Sequence, residues 1–566
     1  MKKLTILFAF LIALSCAEKN QKPVIDVTHR GFVAEQAMVL SAREEASRIG
    51  TQILKNGGNA FDAMAATELA LAVSFPYAGN LGGGGFMVYR KAEGEIGALD
   101  YREKAPLAAT RDMYLDEEGN VIPGLSTKGA LAVGVPGTVA GVFEVHSKLG
   151  SLPMADIIQP VIELARKGVY VTKRQAKRIE NYHPVFKEVN KDSIKFMHNW
   201  KKGDTIKYPV LAETLERIKI NGRDEFYKGE TASILVDFIQ ANGGIITLED
   251  LEKYEPRWRD PITFNYDNLK IISMSPPSSG GICVAQIMKM IEPFDLHEYG
   301  HNSLKTIQVM AEAERRAYAD RSYFLGDPDF VDIPLEQLMD DEYLRERMKN
   351  FSFDQPTPSS EVSYGSIEVV ESNETTHYAI VDAQGNAVSV TTTINGAYGG
   401  KLYCDTLGFF LNNEMDDLSA KPGVPNMFGL VGNEANSIEP EKRMLSSMTP
   451  TIVEKDGKLH MVVGTRGGST IITSVTQIIL NVHEYGMTMQ QAVDAPRFHH
   501  QWLPDVVGFE EGAFSKSFKR QVELMGYKTY DYTLPLLGNM AGILVLPDGT
   551  LEGGEDRRGD DKADGF

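Results

Sequence analysis

The sequence predicts a layered α/β protein, and two observations carry that expectation. Helical patterning dominates residues 38–73 and 130–250, whereas from Thr375 the pattern changes to a period of two. Helical patterning then returns after residue 468, so strands and helices follow one another in the mixed order that sheets covered by helices require.

Residues 38–73 read as two helices. Residues 43–55 are polar on one side and stop at Gly57-Gly58, and residues 59–73 are rich in Ala and Leu, as a buried helix would be. Asn80-Leu81-Gly82-Gly83-Gly84-Gly85-Phe86 breaks this pattern and leads into a strand at 86–90. Helices are expected at 138–149 and 154–167. Residues 375–382 and 387–393 flank a turn at Ala383-Gln384-Gly385-Asn386, which is a β-hairpin signal. A second hairpin joins 451–454 to 458–463 through Lys455-Asp456-Gly457, and residues 469–485 read as a helix. Residues 552–564 mix acids with Arg557, Arg558 and Lys562 and read as a solvated surface tail.

The chain's 58 basic and 77 acidic residues give a net charge of −19, which argues against nucleic acid as a partner. Lys2 and Lys3 precede an apolar run at 4–14, too short to cross a bilayer of about 30 Å as a helix. It reads as an export signal covering residues 1–15. Ala13-Leu14-Ser15-Cys16 then resembles a bacterial lipoprotein cleavage box, with Ala13 where Leu is usual. Cys16 is accordingly the expected lipid-bearing first mature residue, and an ordinary cleaved signal is the alternative. The expected location is the periplasm or the outer membrane, as a lipoprotein. Only Cys283 and Cys404 remain, which is no disulfide framework. No C-x-x-C or H-E-x-x-H spacing suggests a metal. His499-His500 would point to opposite faces of a strand, so both are expected to be structural.

Within the first expected hairpin, Thr375 and His377 share a face, because side chains alternate along a strand. The turn centres near residue 384, so Thr393 falls opposite Thr375. Two hydroxyls then meet at the end of a strand pair. Threonines also pair in sheets for purely structural reasons, so this local evidence leaves catalysis open. Gly467-Gly468 stands where a strand hands over to a helix, and unpaired amides there suit a developing oxyanion or else only a tight turn. Gly82 to Gly85 lacks the Lys-Ser/Thr ending of a phosphate loop and reads as close backbone packing.

Several longer stretches extend this reading. They are Thr375-Thr376-His377-Tyr378, Leu411-Asn412-Asn413-Glu414-Met415-Asp416-Asp417, Lys421-Pro422-Gly423-Val424-Pro425-Asn426, Leu445-Ser446-Ser447-Met448 and Ala495-Pro496-Arg497-Phe498-His499-His500. Upstream, Asp100-Tyr101-Arg102-Glu103-Lys104-Ala105-Pro106 and Ser275-Pro276-Pro277-Ser278-Ser279-Gly280-Gly281 belong with them. In this order they resemble the gamma-glutamyltranspeptidases, which are N-terminal nucleophile hydrolases, across nearly the whole mature chain.

That resemblance implies a layered αββα fold made as one chain and self-cleaved between Glu374 and Thr375. The products would be a large subunit, 16–374, and a small catalytic subunit, 375–566, held as a heterodimer. It implies Thr375 as nucleophile, Thr393 as its orienting partner and Gly467 and Gly468 as oxyanion donors. Asp417, Glu414 and Asn395 would bind the substrate's α-ammonium. Arg102, Ser446 and Ser447 would bind its α-carboxylate. Phe428, where some bacterial relatives carry Tyr, would sit in a lid loop at 422–436. Glutathione and other gamma-glutamyl compounds would be donors, water or an amino acid or dipeptide the acceptor, and no cofactor is implied. The alternatives on the same fold are a gamma-glutamyl hydrolase with little transfer and a cephalosporin or glutaryl acylase. A third is a surface lipoprotein that keeps the fold without the activity.

Overall fold

The computed structural model describes residues 29–362, 375–532 and 537–566. The expected signal, Cys16 and Glu374 lie outside the described residues.

Two seven-stranded antiparallel sheets form the centre. The first runs in the order Lys562–Gly565, Met38–Ser41, Thr376–Val381, Ala387–Thr393, Gly84–Arg90, Ile96–Asp100, Arg257–Arg259. The second runs Phe32–Ala34, Leu551–Glu555, Asn539–Val545, Lys458–Arg466, Thr451–Lys455, Leu269–Ser273, Ile262–Tyr266. The strand Lys458–Arg466 of the second sheet packs across the hairpin of the first. Helices Glu44–Lys55 and Ala60–Ser74 cover the outer face of the first sheet. Helices Gly280–Ile291, Ile471–His483 and Met489–Asp494 cover the second, with Leu304–Phe324 packed on Gly280–Ile291. The layers are therefore α, β, β, α, as expected.

A strand in such a sandwich is buried on both faces, and the period of two sorts its side chains between two cores rather than between core and water. Tyr378 and Ile380 join the core under the helix Ala60–Ser74, while Ala379 and Val381 join the core between and beneath the sheets. The Ala-rich composition of Ala60–Ser74 lets it lie close on the sheet. Its start is fixed by Asn59, which accepts from the Phe61 and Asp62 amides while Asp62 bonds back to Asn59.

The two expected hairpins are present, with registers Thr376↔Thr392 and Thr451↔Val463. The helices Thr138–Leu149 and Met154–Lys167 have the expected bounds. Two expectations need correction. Residues 38–41 are not helical: Met38–Ser41 is a strand beside Thr376–Val381, and three apolar residues in a row before a helix carry no period to reveal it. The C-terminal segment is not a solvated tail: Leu551–Glu555 and Lys562–Gly565 are strands, one in each sheet. Arg557 and Lys562 are exposed as expected, but Asp556 and Arg558 are buried because they are paired. Arg558 donates to Glu510 at 2.7 Å and to Asp556 at 3.1 Å, and Arg497 meets Asp556 at 2.8 Å. Burial disfavours the Asp556 carboxylate, but these two guanidinium groups hold it down at about 2.

Candidate active site

Thr375 immediately precedes the strand Thr376–Val381 and is buried. The register places it opposite Thr393, the last residue of the partner strand. Thr393 is held in turn: its Oγ1 accepts the Asn395 amide at 2.7 Å, and Gly84 is its partner in the next strand. A Cβ on Gly83 would stand 2.1 Å from the Thr393 carbonyl oxygen, so the expected close packing at Gly82 to Gly85 seats the end of this strand. Asn395 itself adopts φ +66, a left-handed conformation that turns the chain away just past the hairpin.

The opposite face of the hairpin is clamped by Glu68. Its two carboxylate oxygens accept Thr392 Oγ1 at 2.6 Å and Tyr378 Oη at 2.7 Å. Burial pushes Glu68 up to about 7 against the pull of these hydroxyls. His377, on the face it shares with Thr375, lies against Gly464 of the other sheet and bonds Thr391 Oγ1 at 3.0 Å. Burial lowers it to about 3, so it stays neutral.

Thr375, Thr393, Asn395, Asp417, Arg102, Ser446, Ser447, Phe428 and Gly468 line one small cavity. Gly467 and Gly468 have φ +145 and +53 and join the strand Lys458–Arg466 to a short 3-10 turn that enters the helix Ile471–His483. Ser446 is anchored by its amide to Pro277 O at 2.9 Å, and its carbonyl accepts Ser279 Oγ at 2.7 Å. This accounts for Ser275 to Gly281, whose role the sequence left unstated.

Arg102, the expected carboxylate binder, lines the cavity beside Ser446 and Ser447 and also lies against two of the expected ammonium binders. Buried at the cavity wall, it meets Glu414 and Asp417 at 2.5 Å each and Glu103 at 3.5 Å. Expected carboxylate binder and expected ammonium binders are thus one ion cluster. The reason is charge: three acids out of water need a cation, and the nearest is Arg102. One guanidinium cannot balance three carboxylates, and the cluster keeps protons. Burial raises Glu414 well above the usual carboxylate range, raises Glu103 to about 8, and raises Asp417 to about 6 against the attraction of Arg102.

The loop over the site is tied to this cluster. Asn426 Nδ2 donates to Asp417 Oδ1 at 3.2 Å, and Asn426 Oδ1 accepts the amides of Phe428 and Leu430. Phe428 needs no hydroxyl to be placed, because Gln501 Nε2 donates to the carbonyls of Phe428 and Gly429. Asp416 turns away from the cavity's acids, accepting Ser126 Oγ at 2.6 Å and the Met427 amide at 3.0 Å. His499 and His500 have separate partners, Thr473 and Gln501 for one and Asp505 for the other. Cys283 and Cys404 are buried and unbridged.

Four cavity residues escaped the sequence reading: Arg321, Leu430, Met448 and Ile471. Leu430 belongs to the expected lid, Met448 continues Ser446-Ser447, and Ile471 begins the helix after Gly468, so proximity to motifs was their signal. Arg321 had none, since it lies in a charged helix remote from every motif.

The gamma-glutamyltranspeptidase family profile matches residues 46–566. The chain is 46% identical over 540 residues to the glutathione hydrolase proenzyme of Escherichia coli (strain K12), covering 94% of this chain and 92% of that protein. It is 38% identical over 543 residues to that of Bacillus subtilis (strain 168), covering 92% and 90%. The fold superposes on the cephalosporin acylase from Bacillus halodurans with a TM-score of 0.83 at 25% identity, over 97% of this chain and 99% of that one. On the Helicobacter pylori gamma-glutamyltranspeptidase the TM-score is 0.56 at 44% identity, over 58% of this chain and 95% of that one. The fold is that of the N-terminal nucleophile hydrolases, and the chain belongs to the gamma-glutamyltranspeptidase family.

Proposed function

We propose that this chain is the precursor of a gamma-glutamyl-transferring hydrolase that cuts itself between Glu374 and Thr375 into chains 16–374 and 375–566. The observation that carries this is that Thr375, at the end of its hairpin, shares one cavity with Arg102 and Asp417, a cation and an acid from distant parts of the sequence.

In this reading the Thr375 hydroxyl first attacks the Glu374 carbonyl, and water cleaves the resulting ester. The freed α-amine of Thr375, with an ordinary pKa near 7.7–8.0, is the base for its own hydroxyl. Thr375 Oγ then attacks the donor's γ-carbonyl, its proton passing through the amine to the leaving nitrogen as the C–N bond breaks. Gly467 and Gly468 supply amides to the oxyanion, and Thr393 orients the nucleophile. Asp417, Glu414 and Asn395 take the donor's α-ammonium. Arg102, Ser446 and Ser447 face its α-carboxylate, and Phe428 covers the pocket. Water, an amino acid or a dipeptide releases the gamma-glutamyl ester, and glutathione is the expected natural donor.

A mainly hydrolytic enzyme is the second reading, favoured by the glutathione hydrolase names of the relatives. The acylase reading is disfavoured, because an acyl group without an ammonium gives the cluster of Glu103, Glu414 and Asp417 nothing to bind. Export through residues 1–15 with lipid on Cys16, and residence in the periplasm or on the outer membrane, complete the proposal. The test is product analysis with a gamma-glutamyl anilide, with and without glycylglycine. Release of glutamate alone supports the hydrolase, gamma-glutamyl-glycylglycine supports the transferase, and turnover of neither overturns both.

A further inference from the structure

The loop over the site is fastened to the same acid that a donor's ammonium would meet. Asp417 has two carboxylate oxygens, and each has its own donor: Arg102 Nη2 on Oδ2 and Asn426 Nδ2 on Oδ1. Arg102 follows the strand Ile96–Asp100, so one donor comes from the end of a sheet strand and the other from the loop.

Asn426 also builds the tip of that loop. Its Oδ1 accepts the Phe428 amide at 3.0 Å and the Leu430 amide at 3.2 Å. Its own amide donates to Leu430 O at 3.1 Å, and its carbonyl accepts the Gly429 amide at 3.0 Å. A side chain that closes its own turn in this way makes residues 426–430 one unit. Phe428 and Leu430, which line the catalytic cavity, therefore go where Asn426 goes. On its other side the tip borders a cavity of about 500 Å³, which meets the catalytic one at Arg321, Asp417 and Leu430. The tip is a partition between two spaces, and its side-chain bond to Asp417 bolts it to the smaller one.

A carboxylate attracts an ammonium more strongly where water is excluded. With the tip down, Asn426 and Arg102 stand where water would otherwise hydrate Asp417. With the tip lifted, Nδ2 is withdrawn and water screens the acid. Closure thus strengthens the hold on an ammonium, and by reciprocity an ammonium on Asp417 favours closure. Building on the gamma-glutamyl reading above, we infer that Asn426 is a positioning residue that couples closure of the loop to recognition of the donor's α-ammonium by Asp417. A donor without an ammonium gains nothing from this coupling, so Asn426 sharpens the preference for gamma-glutamyl over glutaryl groups.

The experiment follows matured protein by hydrogen exchange and by kinetics. In the parent, saturating L-glutamate should slow exchange at the Phe428 and Leu430 amides. Glutarate, which lacks the α-ammonium, should not do so at the same concentration. Asn426→Ser keeps an acceptor for the turn but is too short to reach Asp417. It should lose the protection by glutamate. Its kcat/KM on a gamma-glutamyl anilide should fall about tenfold to a hundredfold, mostly through KM, as expected for loss of a hydrogen bond to a charged group. Its kcat/KM on a glutaryl anilide should barely change. Equal losses on the two anilides would make Asn426 a merely structural part of the loop and overturn the inference, and so would a variant that behaves like the parent. If Asn426→Ser does not mature, exchange in the parent decides by itself: no protection by glutamate, or equal protection by glutarate, overturns the coupling. A parent that leaves the gamma-glutamyl anilide untouched fails earlier and removes the donor reading itself, which separates the two failures.

Discussion

Arg102 Nη2 donates to Asp417 Oδ2 at 2.5 Å, joining residues 315 positions apart on either side of the expected cleavage bond. The pair binds the segments that become the two subunits, and it does so in the wall of the cavity. Loss of Asp417 would therefore be felt at the substrate's ammonium.

Asp417→Ala is expected to lower kcat/KM for a gamma-glutamyl anilide by roughly two to four decades, since breaking one side of a desolvated pair costs on the order of 3–5 kcal/mol. The glutaryl anilide, without an ammonium, should be a poor substrate of the parent and barely poorer in the variant. Steady-state kinetics on fully matured protein decide it. Equal losses on both donors would refute the ammonium role.

Thr375→Ala should remain a single chain, because the hydroxyl that attacks the preceding carbonyl is gone. Gel electrophoresis and N-terminal sequencing of the parent should show a small fragment beginning at Thr375. Cleavage of the variant at the same bond in clean protein would show that another enzyme makes the cut.

Acidity should act through KM. Burial raises Asp417 to about 6 and lifts Glu414 well above the usual carboxylate range, and only their ionised forms pair with an ammonium. Donor binding therefore displaces protons, and KM should rise as pH falls through about 6, while kcat follows the Thr375 amine at higher pH. Glu414→Gln should weaken this acid-side rise. A KM that is flat from pH 5 to pH 8 would contradict the protonated cluster.

At the C-terminus, Arg558→Ala should destabilise the matured protein by about 3–5 kcal/mol, because Glu510 and Asp556 would keep buried charges without their partner. Asp556 retains Arg497, which limits the loss. Thermal unfolding measures it, and a shift within error would mean that the C-terminal strands hold without this pairing.

Much of this molecule is legible in its sequence wherever the signal is local. The helices Thr138–Leu149 and Met154–Lys167 and both hairpins follow from periodicity and turn chemistry, and the hairpin arithmetic alone set Thr393 against Thr375. The failures share one cause, which is that pairing between distant residues has no local trace. Arg558 and Asp556 look like solvated charges until Glu510 and Arg497 are brought to them. Met38–Ser41 shows its strand character only beside Thr376–Val381. Arg102 and Asp417 could be assigned to one pocket, but not to each other. Arg321 could not be singled out at all, because it lies in a charged helix remote from every motif.

The first sheet interleaves what cleavage separates. Its order places Lys562–Gly565, Met38–Ser41, Thr376–Val381, Ala387–Thr393 and Gly84–Arg90 side by side, so strands from before and after Thr375 meet at three hydrogen-bonded ladders. This weave assembles while the halves are tethered, when closing the loop between them is an intramolecular step. After the cut, unfolding releases two independent chains whose reunion depends on concentration, and neither alone can complete the sheet. Thermal inactivation of the mature enzyme should then be effectively one-way under dilute conditions, with its useful lifetime set by how slowly it opens.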